Sequence, residues 1–206
     1  MNNKSAIWKS RLLWSVLITV TLSFATFLFL RYRTSHSKIN DPRWGEVIDS
    51  FHHVKVYYNG NVANTGARNL SPKGYNLGIK YQCVEFVKRY YYEYLHHQMP
   101  DSYGNAKDFF NDKLPDASFS ERRGLMQFRN PSKQMPAVND LLIFDGHLGN
   151  RFGHVAIICE VDSTSITIIQ QNPGPTAPSR VQLPLIREAD TWKIDHDRVL
   201  GWLRKS

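Results

Sequence analysis

The sequence predicts an α+β domain in which helices come first and an antiparallel β-sheet follows. Apolar residues recur at helical spacing at Val84, Val87 and Tyr91, which indicates an amphipathic helix with one face turned inward. After residue 139 the period changes to short apolar or alternating runs separated by turns, which predicts strands at 140–145, 154–161, 165–171, 180–186 and 198–203. Helices that are segregated from strands along the chain are typical of the α+β class.

The N-terminal segment predicts a membrane anchor. Leu12 to Leu30 is a run of 19 residues without a charge, flanked by basic residues, and its length as a helix matches the core of a bilayer. A cleavable signal peptide is the alternative, but the run ends in the large residues of 27–31, FLFLR, which make a poor cleavage site. We therefore predict a basic tail of cytoplasmic type at 1–11, a transmembrane anchor at 12–30, a linker at 31–43 and a folded domain at 44–206. The flanking charges balance, so the expected outward position of the domain follows from the commoner arrangement, a short tail kept in the cytoplasm.

The charge distribution and the cysteine and histidine content limit the classes of function that this protein can have. The net charge is +8, yet residues 1–40 hold six basic and no acidic residues, which leaves 20 basic and 18 acidic residues beyond them. A nucleic-acid-binding protein would carry its basic excess on the folded domain, so we expect no nucleic-acid partner. Cys83 and Cys159 are the two cysteines, too few for a disulfide framework, although one bridge between them is an alternative. The paired histidines lack ligand spacing, so we expect no metal and no cofactor.

The elements outside the sheet are predicted from turn and capping signals. Strands are expected at Val47–Ile48 and Val54–Tyr58, the second ending in a turn at 59–61 (NGN). Residues 64–78 are rich in Asn, Gly, Ser and Pro, which indicates a long loop suited to the rim of a site. Residues 101–113 predict a second helix capped by Asp101 or Ser102, and 115–139 are expected to be irregular.

Cys83 and His154 are the candidate catalytic pair. Cys83 lies near the start of the amphipathic helix, where unpaired N–H groups and partial positive charge favour a thiolate. His154 follows about 70 residues later at the beginning of a strand that is apolar on both faces. A thiol nucleophile and a histidine that moves its proton are the requirements of a cysteine protease or amidase.

A catalytic histidine also needs a group that orients its ring. Strands 154–161 and 165–171 predict a hairpin, which places His154 opposite Gln170, Gln171 or Asn172. All three are neutral amides, whose oxygen can accept a hydrogen bond from the ring without adding charge. Gln82 and the backbone N–H of Cys83 are candidate oxyanion donors, whereas Glu85 is expected to be solvated or to act as a cap.

Five separated blocks together resemble the CHAP domain, a cysteine, histidine-dependent amidohydrolase/peptidase: YQCVEFVKRY at 81–90, DLLIFD at 140–145, GHVAII at 153–158, IIQQN at 168–172 and VLGWL at 199–203. Their order and spacing are similar to those of the amidase domain of bacterial glutathionylspermidine synthetase/amidase. The resemblance implies a papain-like α+β fold with N-terminal helices packed on the sheet. It places the family cysteine on Cys83, the family histidine on His154 and the third catalytic residue, usually an acid, on Gln170. The family's basic residue, commonly arginine, falls on Lys88, and Asn172 joins Gln82 and Lys88 as candidates for oxyanion or substrate binding.

The resemblance implies hydrolysis of an amide through a thioester between the substrate and Cys83. We therefore expect a membrane-anchored cysteine amidohydrolase acting on a glutathionylspermidine-like peptide amide or on a peptidoglycan peptide. A binding module is the second hypothesis, in which Gln170, in place of an acid, has cost the site its catalysis. A structural domain with a bridge between Cys83 and Cys159 is the third.

Overall fold

A computed structural model describes residues 4–35 and 43–206, and the chain divides into two compact units, 1–40 and 41–206. The first unit contains helix α1, Lys4–Ser35. Within the described ranges, no helix combines the length and the apolar character that a membrane crossing needs, so the anchor predicted for 12–30 is not supported. The predicted tail and linker overlap α1 at 4–11 and 31–35, while 1–3 and 36–42 lie outside the described residues. The extracytoplasmic location stays a prediction.

The second unit is built on an eight-stranded sheet with the strand order β11-β10-β9-β8-β7-β12-β6-β5, in which every neighbouring pair is antiparallel. Its strands are β5 Ser118–Ser120, β6 Leu125–Arg129, β7 Leu141–Phe144, β8 His154–Val161, β9 Ser165–Ile169, β10 Arg180–Glu188, β11 Thr191–Ile194 and β12 Val199–Arg204. Two hairpins precede it, β1 Val47–Phe51 with β2 Val54–Tyr57, and β3 Arg68–Leu70 with β4 Asn76–Ile79. The predicted α+β class is confirmed.

Helix α2, Cys83–Glu93, packs against β8, β4 and β2. Phe86, Val87, Tyr90 and Tyr91 are fully buried on its inner face, in one core cluster with Val155 and Ile157 of β8. Ala156 and Ile158, which alternate with those two residues, belong to a second cluster on the other face of the sheet. Because both faces are covered, β8 is apolar and buried from Val155 to Cys159, as its sequence indicates.

The predicted helix at 101–113 is wrong, because this segment contains only a three-residue 3-10 helix, Lys107–Phe109. Its carbonyl groups bond to side chains from elsewhere in the domain: Arg123 donates to the carbonyls of residues 101, 103 and 108, and Lys88 to that of Ser102. These carbonyls accept hydrogen bonds from side chains, so they do not need the backbone N–H donors that a helix would supply. The sequence signals also missed β5 and β6 within 115–139 and β3 within 64–78.

The first hairpin turns at a place that the sequence did not indicate. His52 and His53 form the two-residue loop between β1 and β2, and both have positive φ values, 46° and 67°. Such a loop matches the twist of the flanking strands, and Asn-Gly is its usual sequence. The Asn-Gly signal at 59–60 lies beyond the end of β2 and therefore does not mark the turn of this hairpin.

Candidate active site

The thiol of Cys83 lies at the first turn of α2. Gln82, the residue that precedes the helix, has extended backbone angles and makes no capping hydrogen bond with its side chain. The first N–H groups of the helix are therefore left for another acceptor. Backbone N–H groups of Cys83, Val84 and Val155 reach the sulfur and act to lower the pKa of the thiol, but burial has the larger effect and raises that pKa above its ordinary value. The contact with Val155 brings Cys83 next to the residue that follows His154.

His154 is the first residue of β8 and is held by an amide. Its Nε2 lies 2.9 Å from Oε1 of Gln170, whose Nε2 donates to the carbonyl of Pro178 at 3.1 Å. Since a carbonyl can only accept, the nitrogen of the Gln170 amide must face Pro178 and its oxygen must face the ring. His154 therefore carries its proton on Nε2, which leaves the lone pair of Nδ1 to take a proton from a thiol.

The imidazole of His154 is strongly biased to the neutral form. Burial is the main cause and lowers its pKa to about 4, repulsion from Arg198 acts in the same direction, and the hydrogen bond to Gln170 opposes both. With the thiol pKa raised and the imidazole pKa lowered, the resting pair consists of an uncharged thiol and an uncharged ring.

A β-bulge decides which glutamine faces His154. Ile158 pairs with Ile168, but beyond the bulge Glu160 pairs with Thr167, so the register shifts by one residue at Cys159. Because a shift of one residue exchanges the two faces of a strand, the unshifted register would have placed Gln171 on the His154 face. The observed register places Gln170 there, which is the residue that the family resemblance implied.

Gln171 points the other way, toward the start of α2. Its side chain is fully buried, and its Nε2 donates to the carbonyl of Gln82 at 3.0 Å and to Oε2 of Glu85 at 2.9 Å. Its Oε1 accepts the backbone N–H of Tyr57 at 2.8 Å. All the polar atoms of this amide are therefore engaged.

Glu85 is neither solvated nor a cap, which corrects the prediction from its position in the first turn. Its carboxylate is 1% exposed and pairs with Arg89 at 2.7 Å. Asn69 donates a further hydrogen bond to Oε1 at 2.8 Å. Both oxygens of this buried carboxylate therefore accept hydrogen bonds, which offset the cost of its burial. Sequence reasoning missed this residue, although the spacing of Glu85 and Arg89, four residues apart on a helix, is the signal of such a pair.

The structure brings Gln82 and Asn172 together beside Cys83. Nδ2 of Asn172 donates to Oε1 of Gln82 at 2.8 Å, and Nε2 of Gln82 donates to the carbonyls of Asn64 and Val62 at 2.6 and 3.4 Å. The Gln82 amide thus has no further N–H to offer an oxyanion in this arrangement, and the backbone N–H of Cys83 remains the better candidate. Oδ1 of Asn172 is buried without a hydrogen-bond partner.

Lys88 is not placed in the same cluster as these residues. Its Nζ donates to the carbonyls of Asn76 and Ser102, and burial together with Arg123 and Arg68 lowers its pKa to about 8. Lys88 therefore holds the loop around residue 102. Cys83 and Cys159 are both free, which argues against the bridge between them.

Comparisons with known proteins relate this chain to one protein family and to two curated relatives. Residues 73–172 match the family model described as the CHAP domain, a range that contains Cys83, His154 and Gln170. The match covers slightly less than half of the chain, and over these residues the resemblance noted in its sequence is confirmed.

Two curated relatives come from Crithidia fasciculata. The chain is 30% identical to a glutathionylspermidine synthase over 139 residues, which cover 62% of this chain and 19% of the relative. It is 33% identical to a trypanothione synthetase over 121 residues, which cover 58% of this chain and 18% of the relative. The chain thus spans about a fifth of the length of the curated relatives it matches.

Proposed function

We propose that this protein is a cysteine amidohydrolase of papain-like architecture with Cys83 as nucleophile and His154 as general base and acid. The observation that carries the proposal is the fixed orientation of His154, whose Nε2 is bonded to Gln170 while the Cys83 sulfur lies against the neighbouring Val155 N–H. A CHAP domain supports amidohydrolase chemistry of this type.

The reaction begins from the neutral pair. Nδ1 of His154 takes the proton of the Cys83 thiol as the sulfur attacks the carbonyl carbon of the substrate amide, and the carbonyl oxygen becomes an oxyanion. N–H groups at the start of α2, that of Cys83 first, stabilise this negative charge. His154 then gives the proton to the leaving amine as the C–N bond breaks, which leaves a thioester on Cys83. Water, activated by the same imidazole, hydrolyses the thioester and restores the thiol.

The substrate is either a glutathionylspermidine-like peptide amide or a peptidoglycan peptide. The names of the two relatives, a glutathionylspermidine synthase and a trypanothione synthetase, favour the first class. The test compares wild type with Cys83→Ala on both substrates and measures the amine released. Turnover that depends on Cys83 supports the proposal, and its absence on both substrates refutes amidase activity toward them.

A binding module is the second candidate, and the neutral Gln170 together with the raised thiol pKa favours it. In a binding module the substrate amide would be held beside Cys83 and Asn172 without being cleaved. Two measurements on the same substrate separate the two functions: calorimetry for binding, and the amine released for cleavage. A binding module binds the substrate amide and releases no amine from it, whereas an amidohydrolase releases amine only when Cys83 is present.

A further inference from the structure

We propose that Gln171 is a positioning residue that fixes the start of α2, and with it Cys83, relative to His154. This inference rests on the proposed function, because it concerns the geometry of the same reaction. Gln170 and Gln171 are neighbours in the chain, yet their side chains point in opposite directions, as successive residues of an extended chain do. Gln170 contacts the histidine and Gln171 contacts the helix that carries the nucleophile.

The first step of the argument is the contact with the helix. The carbonyl of Gln82, which Gln171 binds at 3.0 Å, belongs to the residue immediately before Cys83. That carbonyl also accepts the first hydrogen bond of the helix, from Phe86 at 3.2 Å. Gln171 therefore holds the peptide that leads into the nucleophile, and a shift of this peptide moves the sulfur directly.

The second step is the rigidity of the surroundings. Glu85, the other acceptor of the Gln171 amide, is anchored by Arg89 and by Asn69, and Oε1 of Gln171 is anchored by Tyr57 on β2. The amide is fully buried and uses each of its donors. A side chain that is held from three directions transmits the position of its own backbone to the groups it contacts.

The third step is the connection back to His154. The backbone of Gln170 continues the sheet through a 2.8 Å hydrogen bond from its N–H to the carbonyl of Ser179, and its side chain holds the ring. Adjacent residues thus fix the two halves of the catalytic pair, and one peptide bond joins them. Catalysis requires that the position of the sulfur relative to the ring be fixed to within a fraction of an ångström. Loss of the Gln171 contacts should therefore reduce kcat more than it changes KM.

The test uses Gln171→Met, which keeps the length of the side chain but removes all three hydrogen bonds. Gln127→Met is the matched control, since Gln127 on β6 is also fully buried and its side chain exchanges two hydrogen bonds with the backbone of Asn111, in a cluster that the site does not use. We expect a decrease in kcat of about tenfold or more for Gln171→Met with little change in KM, and a kcat near that of wild type for the control. Equal decreases in both variants would overturn the proposal, because they would show a general loss of stability.

A second variant and a second readout keep the result interpretable. Gln171→Asn retains the amide but is one methylene too short to reach all its partners, so it tests the same contacts if the Met variant fails to fold. The rate of Cys83 alkylation by iodoacetamide against pH reports the surroundings of the sulfur even if the wild-type protein turns over neither substrate. A pH profile that shifts in the Gln171 variants and stays in place in Gln127→Met supports the positioning role, and unshifted profiles in all variants refute it, whatever the outcome for the proposed function.

Discussion

The substitution Gln170→Glu supplies the acid that the family usually has beside its histidine. The new carboxylate would take the place of the amide oxygen that now lies 2.9 Å from Nε2 of His154. In the native protein the ring is partly buried without a charged partner at this position, and this desolvation is the main reason why its pKa is about 4. The substitution changes the charge at this contact and nearly preserves the shape of the side chain.

The size of the effect follows from the separation of the two charges. The 2.9 Å contact places the centres of imidazolium and carboxylate at about 4 Å, where two unit charges attract by about 4 kcal/mol at an effective dielectric constant of about 20. Since one pKa unit corresponds to about 1.4 kcal/mol, the pKa of His154 should rise by about three units, to about 7. The second oxygen of the introduced carboxylate faces the Pro178 carbonyl, which cannot donate to it, so we also expect a loss of about 1–3 kcal/mol in the free energy of unfolding.

The assay is an NMR titration of the His154 ring, assigned by its disappearance in His154→Gln. A charged ring beside Cys83 also favours the thiolate, so alkylation of Cys83 near pH 6 should become faster than in wild type. Gln182→Glu, on an exposed site of β10, adds the same charge without the contact and serves as the control. If the pKa of His154 stays below about 5 in the Gln170 variant, the electrostatic account of this site is wrong.

Three further predictions concern stability. The pKa of His154 is about 4 in the folded protein, below the ordinary 6.5, so on acidification the unfolded chain takes up a proton at this ring before the folded protein does. The free energy of unfolding should therefore fall by up to about 3 kcal/mol as the pH drops from about 6.5 to 4. Urea unfolding at stepped pH checks this, and His154→Gln should lose that part of the slope. Gly153→Ala should destabilise the protein more than Gly74→Ala: both residues have positive φ, 77° and 81°, but a Cβ at Gly153 would lie 2.5 Å from a backbone oxygen, whereas Gly74 faces open space. Equal shifts in Tm for the two variants would contradict the steric argument. Glu85→Ala leaves Arg89 buried without its carboxylate and should cost about 3–5 kcal/mol, measured by the same unfolding assay, with a surface variant such as Glu46→Ala close to wild type.

Much of the sheet could be predicted from sequence because its signal is local. Alternating or continuous apolar runs coincide with β7, β8, β9, β10 and β12 within a few residues. The strands β3, β5 and β6 lacked such a signal, since their sequences, RNL, SFS and LMQFR, hold neither a continuous apolar run nor a sustained alternation. The segment 101–113 begins with two residues that commonly cap a helix, but Lys88 and Arg123 bind its carbonyls, and both residues lie outside it along the chain.

Among the site residues, too, some could be predicted from local sequence features and others depend on distant parts of the fold. Cys83 and His154 could be singled out as candidates because a helix start and a strand start are local features with known chemistry. Glu85 was misjudged because a first-turn carboxylate is usually solvated, and its burial depends on Asn69 and Gln171, which arrive from other parts of the fold. The spacing of Lys88 from Cys83 is visible in sequence, but its contacts with the carbonyls of Asn76 and Ser102 arise from the fold.

The sequence by itself determined which thiol and which imidazole are available for the proposed chemistry, and the order of the elements that present them. Only the tertiary structure decided the orienting residue, because one extra residue at Cys159 exchanges the faces on which Gln170 and Gln171 lie. It also decided the charge state of the site, since burial is a property of the packed domain and here drives both Cys83 and His154 toward their neutral forms. Chemistry that depends on residue type can be predicted from the sequence, whereas register and burial are determined only when distant segments pack together.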